Sequence, residues 1–203
     1  MNEATTILTN TDITRRKNSN GSRNLIVNHL RCTLYSAYIK DIYEELTIYL
    51  RTILTKAAEN GFEAGRIIGE HKIKLDAKSI LEKGNWEEIS EMISNSIFQS
   101  LESERSTLKL IKKISTKLSL NIDDELINEA IPYLEVRHFL VHNDGKLTQE
   151  FIDKYPEIRH NNGNIQLSYR LISCLKDAVI KLVAAFDKEV IDSNLLKDED
   201  TQP

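Results

Sequence analysis

From Asn24 to Glu59, thirty-six residues run without a glycine or a proline, and their apolar side chains recur every three or four positions. Leu30, Leu34, Tyr38, Ile42, Leu46, Leu50, Ile53 and Ala57 step along one side, and Tyr35, Ile39 and Tyr49 widen it. A strand turns its side chains over at every residue, so this spacing is incompatible with a sheet and predicts one helix over 24–59. Asn24 is placed to cap its start and Asn60-Gly61 to stop it. A helix of this length with Tyr35, Tyr38, Tyr43 and Tyr49 along it needs cover on more than one side, within a bundle or at a subunit interface.

The remaining segments repeat the helical period. With only 7 Gly and 3 Pro in 203 residues, breakers are too few for a many-stranded sheet. A helix is predicted over 85–102, capped by Asn85, with Ile89, Met92, Ile93, Ser96, Ile97 and Leu101 inward and Trp86 as a core anchor. Another is predicted over 104–119, with Leu108, Ile111, Ile114 and Leu118 inside. A third runs over 123–142 from a cap at Asn121 or Asp123, and a fourth over 168–191. Gly61, Gly65 and Gly69 punctuate 61–84, where only a short helix over 76–82 is expected. Residues 146–164 read as a loop with one turn over 149–154. The fold class is therefore all-α: an antiparallel helical bundle of about five main helices, in one domain over 23–191. Residues 1–22, which hold Arg15, Arg16 and Lys17, read as a flexible arm, and 192–203 as a polar tail.

Composition narrows the setting. Cys32 and Cys174 fall in apolar helical patterns and are expected as buried thiols, too few for a disulfide framework or a cysteine-based zinc site. No stretch has signal-peptide or membrane-spanning character, so the expected setting is cytoplasmic, with no membrane partner. The formal charge of −4 argues against a protein that coats itself in nucleic acid, but leaves room for a local basic patch. The helix over 104–119 supplies one: Arg105, Lys109, Lys112, Lys113 and Lys117 share an outer face. That stripe is either a solvated face or a phosphate-steering surface.

The chemistry concentrates in Ile131–Leu147, IPYLEVRHFLVHNDGKL, where Arg137, His138 and His142 stand among residues suited to a core. Pro132 removes a backbone hydrogen bond just before this charged turn, and Asn143-Asp144-Gly145 ends the helix. His138 and His142 share a helical face, as a zinc pair would. A zinc-protease motif needs Glu directly after the first His, however, and Phe139 stands there with no third ligand at a suggestive spacing. No metal and no cofactor is expected. An arginine fork for a phosphoryl group and a histidine that exchanges protons near neutral pH suffice for RNA cleavage by 2′-hydroxyl attack. On an ideal helix, Arg137 and His142 lie about 140° apart, which a cleft at the helix end or a second copy of the helix would reconcile. The structural alternative pairs Arg137 with Glu135 or Asp144 and leaves His142 as a C-terminal cap.

An all-helical chain with Arg137-His138-Phe139-Leu140-Val141-His142 in its C-terminal half resembles the HEPN superfamily, whose motif is Arg, a polar residue and then His after a short spacer. The stretch VHNDGKLTQEFIDKYPEI resembles the variants in prokaryotic defence and toxin operons. The resemblance spans about 24–191 and implies a HEPN-type bundle acting as a metal-independent endoribonuclease, either a toxin or an antiphage effector that cuts tRNA or other RNA. It implies a homodimer whose two motifs share one cleft, and an antitoxin or defence-system partner. By position, Arg137 would hold the scissile phosphate, His142 would be general base or acid, and His138 would orient the site. Asp144 stands where some HEPN toxins carry a tyrosine that a partner modifies, so that control is not expected. A catalytically inactive helical interaction module is the alternative the same bundle allows.

Overall fold

The computed structural model describes residues 20–69, 74–103 and 106–196. Most of the arm, with Arg15, Arg16 and Lys17, lies outside the described residues, as do His71, Lys72, Arg105 and residues 197–203 of the tail. The chain is all-α: α1 (Asn20–Glu59), α2 (Ala64–Ile68), α3 (Ala77–Lys83), α4 (Trp86–Glu102), α5 (Thr107–Leu118), α6 (Asp124–His142), α7 (Gln149–Lys154) and α8 (Tyr169–Asp192). A two-stranded hairpin, β1 (His160–Asn161) and β2 (Asn164–Ile165), interrupts the last connection. Among the described residues no helix is long and apolar enough to cross a membrane.

Local chemistry sets where the helices begin. From α3 to α8 each start carries a side-chain cap: Asp76, Asn85, Ser106, Asp123, Thr148 and Ser168 each accept a backbone N–H of the first turn. Asp123, not Asn121, caps α6. Helix α1 starts four residues before the expected cap, because Asn20-Gly21-Ser22 stays helical and Asn24 lies inside.

Packing sets the rest. Helix α1 lies against α4, α8, α6 and α5. Tyr49 Oη donates to Asp187 Oδ1 at 2.5 Å, and Asn60 Nδ2 to the Leu195 carbonyl, so α1 and α8 run the same way. Lys181 meets Glu129, and Tyr133 meets Cys174, so α6 runs antiparallel to both. Phe98, Phe186, Leu50, Leu54, Ile97, Ile111, Ile114 and Leu118 are fully enclosed. Such side chains contribute about 1.5–3 kcal/mol each by leaving water.

Several expectations fail for reasons of position. The core face of α1 starts only at Ile39; Leu30, Leu34 and Tyr38 are exposed, since no described element reaches back to cover them. Cys32 lies on that same uncovered stretch and is exposed, and Cys174 is half-buried at the α6–α8 contact. Trp86 is exposed because it opens α4 ahead of the buried stripe, while Phe98 takes the anchoring place under the Arg51 guanidinium, 4.9 Å from the ring centre. The 146–164 connection holds the expected turn as α7 and also the hairpin, closed by Asn162 and Gly163, both with positive φ.

Candidate active-site cleft

Helix α6 builds one wall. Ile127, Ala130, Ile131, Leu134, Val136 and Phe139 bury its inner face, and the helix runs through Pro132 without a break in its span. It stops at His142. The Asn143 and Gly145 N–H groups both donate to the Phe139 carbonyl, at 3.0 and 2.8 Å, with Asp144 and Gly145 at positive φ. The Leu147 N–H then bonds the Gly163 carbonyl and the Ile165 N–H bonds the Gly145 carbonyl, tying the turn to the hairpin. The last turn of α6 is thereby held from both sides and its solvent face stays open.

That face lines a cleft of about 470 Å³, a volume suited to a small ligand or a nucleotide. Tyr43 of α1, Glu102 at the end of α4, Ser106, Thr107 and Leu110 at the start of α5, and Leu134, Glu135, Arg137, His138 and His142 of α6 surround it. All three motif side chains therefore meet one space within one chain. The 140° between Arg137 and His142 is spanned because the cleft wraps the end of α6.

The electrostatics are distinctive. Arg137 is half-buried, and its guanidinium lies over the Tyr43 ring, 4.8 Å from the centre. Stacking holds a guanidinium by its face and leaves its N–H edges available. Among the described residues Arg137 makes no ion pair, so neither Glu135 nor Asp144 neutralises it as the structural alternative requires. Glu135 also lines the cleft, where its carboxylate accepts the Thr107 N–H at 3.3 Å, at the start of α5. The exposed rings of His138 and His142 lie 4.9 Å apart between centres, inclined at 51°. The C-cap is Asn143, with His142 in the last turn.

The described lysines of the basic stripe are not part of this cleft. None of Lys109, Lys112, Lys113 and Lys117 lines it, and Arg105 lies outside the described residues. Lys112 Nζ is 2.8 Å from Asp124 Oδ1. Lys117 Nζ donates to the carbonyls of Ile67 at 2.6 Å, Ile68 at 3.3 Å and Arg66 at 3.5 Å, which closes the C-terminus of α2. Lys109 is exposed. Among the described residues no three His, Cys, Asp or Glu side chains are placed to hold a metal ion.

Sequence reasoning missed Tyr43, Glu102, Ser106 and Thr107. Tyr43 could have been shortlisted as one of four tyrosines on α1, but only the packing of α1 against α6 selects it. No protein-family model matches the chain, and neither a curated protein nor a solved structure matches it.

Proposed function

We propose that the chain is a metal-independent endoribonuclease of the HEPN type, with Arg137, His138 and His142 in its catalytic cleft. The observation that carries the reading is the half-buried Arg137 guanidinium, stacked on Tyr43 beside two open imidazoles and without an ion pair among the described residues. A partly desolvated cation is stabilised by an anion, and a phosphodiester supplies one. In the reaction His142 takes the proton of the ribose 2′-hydroxyl, and the 2′-oxygen attacks the adjacent phosphorus. The bond from phosphorus to the 5′-oxygen breaks, and that oxygen leaves with a proton from water or from the imidazolium. The products are a 2′,3′-cyclic phosphate and a 5′-hydroxyl. Arg137 holds the non-bridging oxygens as their charge grows, and His138 orients the chain being cut.

The resemblance adds a toxin or antiphage setting, an antitoxin or defence partner, and a second copy. Because the three side chains already line one cleft, the chemistry is assigned to each protomer. Lys109, with Lys112, Lys113 and Arg105, would steer RNA toward it, and such binding weakens steeply with salt.

The test is cleavage of varied RNAs in EDTA. The wild type should cut and leave cyclic-phosphate ends, and His142→Ala should lose at least about 100-fold in rate. An inactive wild type would instead favour a helical interaction module, and loss of cutting in EDTA with rescue by a divalent ion would put a metal in the reaction.

A further inference from the structure

A second hollow opens beside the catalytic cleft. It encloses about 270 Å³ between the start of α5, one face of α6 and the helix α7, and Ser106 and Glu135 line both spaces. Ile131, Glu135 and Phe139 reach it from α6 at four-residue steps, which share a helical face. Its floor is apolar, made by Ile131, Phe139 and Phe151. The Phe139 and Phe151 rings meet edge to face at 4.7 Å between centres, and Phe151 meets Tyr155 the same way at 5.0 Å, so the rings brace one another. Its rim is polar, with Glu135, Glu150, Lys154 and Tyr155. An apolar floor with a few placed polar groups is the make-up of a site for a flat organic ring, and the hollow has room for a purine base.

Glu135 is the group to which the cleavage reaction gives no role. A carboxylate repels a phosphate, yet Glu135 stands on the wall shared with the cleft assigned to a phosphodiester. Its Oε1 accepts the Thr107 N–H, and among the described residues the carboxylate forms no ion pair. The Lys154 ammonium lies 4.9 Å from the centre of the Tyr155 ring. Tyr155 first, and then the Glu135 and Glu150 carboxylates, hold that ammonium above the usual lysine range, so the three charges face a common space. Two acids against one lysine leave the rim net negative, which turns a phosphate away and favours a neutral ring with N–H donors. A carboxylate accepts two N–H groups that lie side by side in one plane. Among the four RNA bases only guanine offers such a pair, N1–H and the N2 amino group, with the O6 acceptor next to them. Uracil has a single N–H between two carbonyls. Adenine and cytosine set a bare ring nitrogen beside their amino group, and its lone pair would face the carboxylate.

We infer that this hollow is a guanine subsite, which takes the base of the nucleotide whose 3′-phosphate is held at Arg137; as a subsite for RNA that is cut, it rests on the ribonuclease reading. Glu135 receives N1–H and the N2 amino group, Lys154 donates to O6, and the ring lies on the floor of Phe139 and Phe151. Glu135 and His142 are seven positions apart on α6, so they lie within about 20° of each other around its axis and about 10 Å apart along it. A nucleotide covers that span from the pairing edge of its base to its 3′-phosphate. The cut therefore falls after guanosine and leaves a guanosine 2′,3′-cyclic phosphate end.

The test is calorimetric titration of the full chain with the four nucleoside 3′-monophosphates, which share the phosphate and differ in the base. Guanosine 3′-monophosphate should bind at least about 10-fold more tightly than the other three. Inosine 3′-monophosphate, which lacks the N2 amino group, should fall between. Glu135→Gln keeps an acceptor for the Thr107 N–H and should abolish the difference between guanosine and inosine, with thermal unfolding preserved. Lys154→Met, at an exposed side chain, should weaken guanosine binding by about 5-fold or more. Mapping of cut ends in EDTA separates this inference from the ribonuclease reading. A wild type that binds none of the nucleotides, binds all four alike, or cuts RNA without regard to guanine would overturn the subsite. Guanosine-selective binding that Glu135→Gln abolishes, in a protein that cuts no RNA, would keep the guanine site and remove the ribonuclease reading.

Discussion

Lys117→Met separates the lysine that closes α2 from Lys109, the proposed RNA-steering lysine on the same helix face. The substitution keeps most of the aliphatic stem and removes the ammonium that closes α2. Three carbonyls at that helix end, of Arg66, Ile67 and Ile68, receive Nζ, the Ile67 contact being the shortest at 2.6 Å. A charge-assisted hydrogen bond to a carbonyl is worth about 1.5–3 kcal/mol when shielded. Lys117 is half-exposed, so about 1 kcal/mol is the expected loss. For a domain of this size that lowers Tm by about 2–4 °C. Lys109→Met removes an exposed charge and should leave stability within about 0.5 kcal/mol. The RNA-binding signature should be the reverse. Lys109→Met should reduce the salt dependence of single-strand binding by about 0.7 in slope, and Lys117→Met should leave it unchanged. Thermal unfolding and a salt titration of RNA binding read the two effects. A Lys117→Met protein with Tm within 1 °C of wild type and a lowered salt slope would refute the capping role and return Lys117 to the phosphate-binding face. Gly69→Ala probes the same contact from the other side: its φ is +54°, and a Cβ there would sit 3.0 Å from Lys117 Nζ. It should destabilise by more than about 1 kcal/mol.

Arg137→Lys keeps the charge but loses the planar fork over Tyr43, so single-turnover cleavage should fall by about 100-fold or more while Tm moves little. Phe186→Ala empties a fully buried site and should cost about 3–5 kcal/mol in urea unfolding. Burial, then the bond with Cys174, pushes the Tyr133 phenol up to about 12. A raised acid pKa gives stability that is complete below the unfolded value near 10 and is lost as pH rises through about 12. Tyr133→Phe should therefore flatten the fall in stability between about pH 10 and 12, measured by unfolding at fixed temperature.

What the sequence determined by itself was local. Asn85, Asp123 and Ser168 mark helix starts because each side chain reaches a backbone N–H two or three residues on, a contact that needs no other element. The all-α class follows from the same short-range logic of period and sparse breakers. The hairpin around Asn162-Gly163 was not legible, because its two strands are two residues each and too short to show a period; the stretch reads only as a loop. The motif Arg137-His138-Phe139-Leu140-Val141-His142 was readable as a concentration of polar groups in an apolar stretch.

Tertiary structure decided where each face ends and what meets it. One apolar period runs from Leu30 to Ala57, yet the bundle covers it only from Ile39, because periodicity marks a face and not the length of its partner. The lysines of α5 share a side, but the nearby end of α2 turns Lys117 into a cap, and Asp124 takes Lys112. The cleft itself draws on α1, α4, α5 and α6, so Tyr43 beneath Arg137 depends on contacts separated by more than ninety residues. Caps and periods act within a turn or two of helix, whereas a binding cleft is made by whichever distant surfaces the packing of the core brings together.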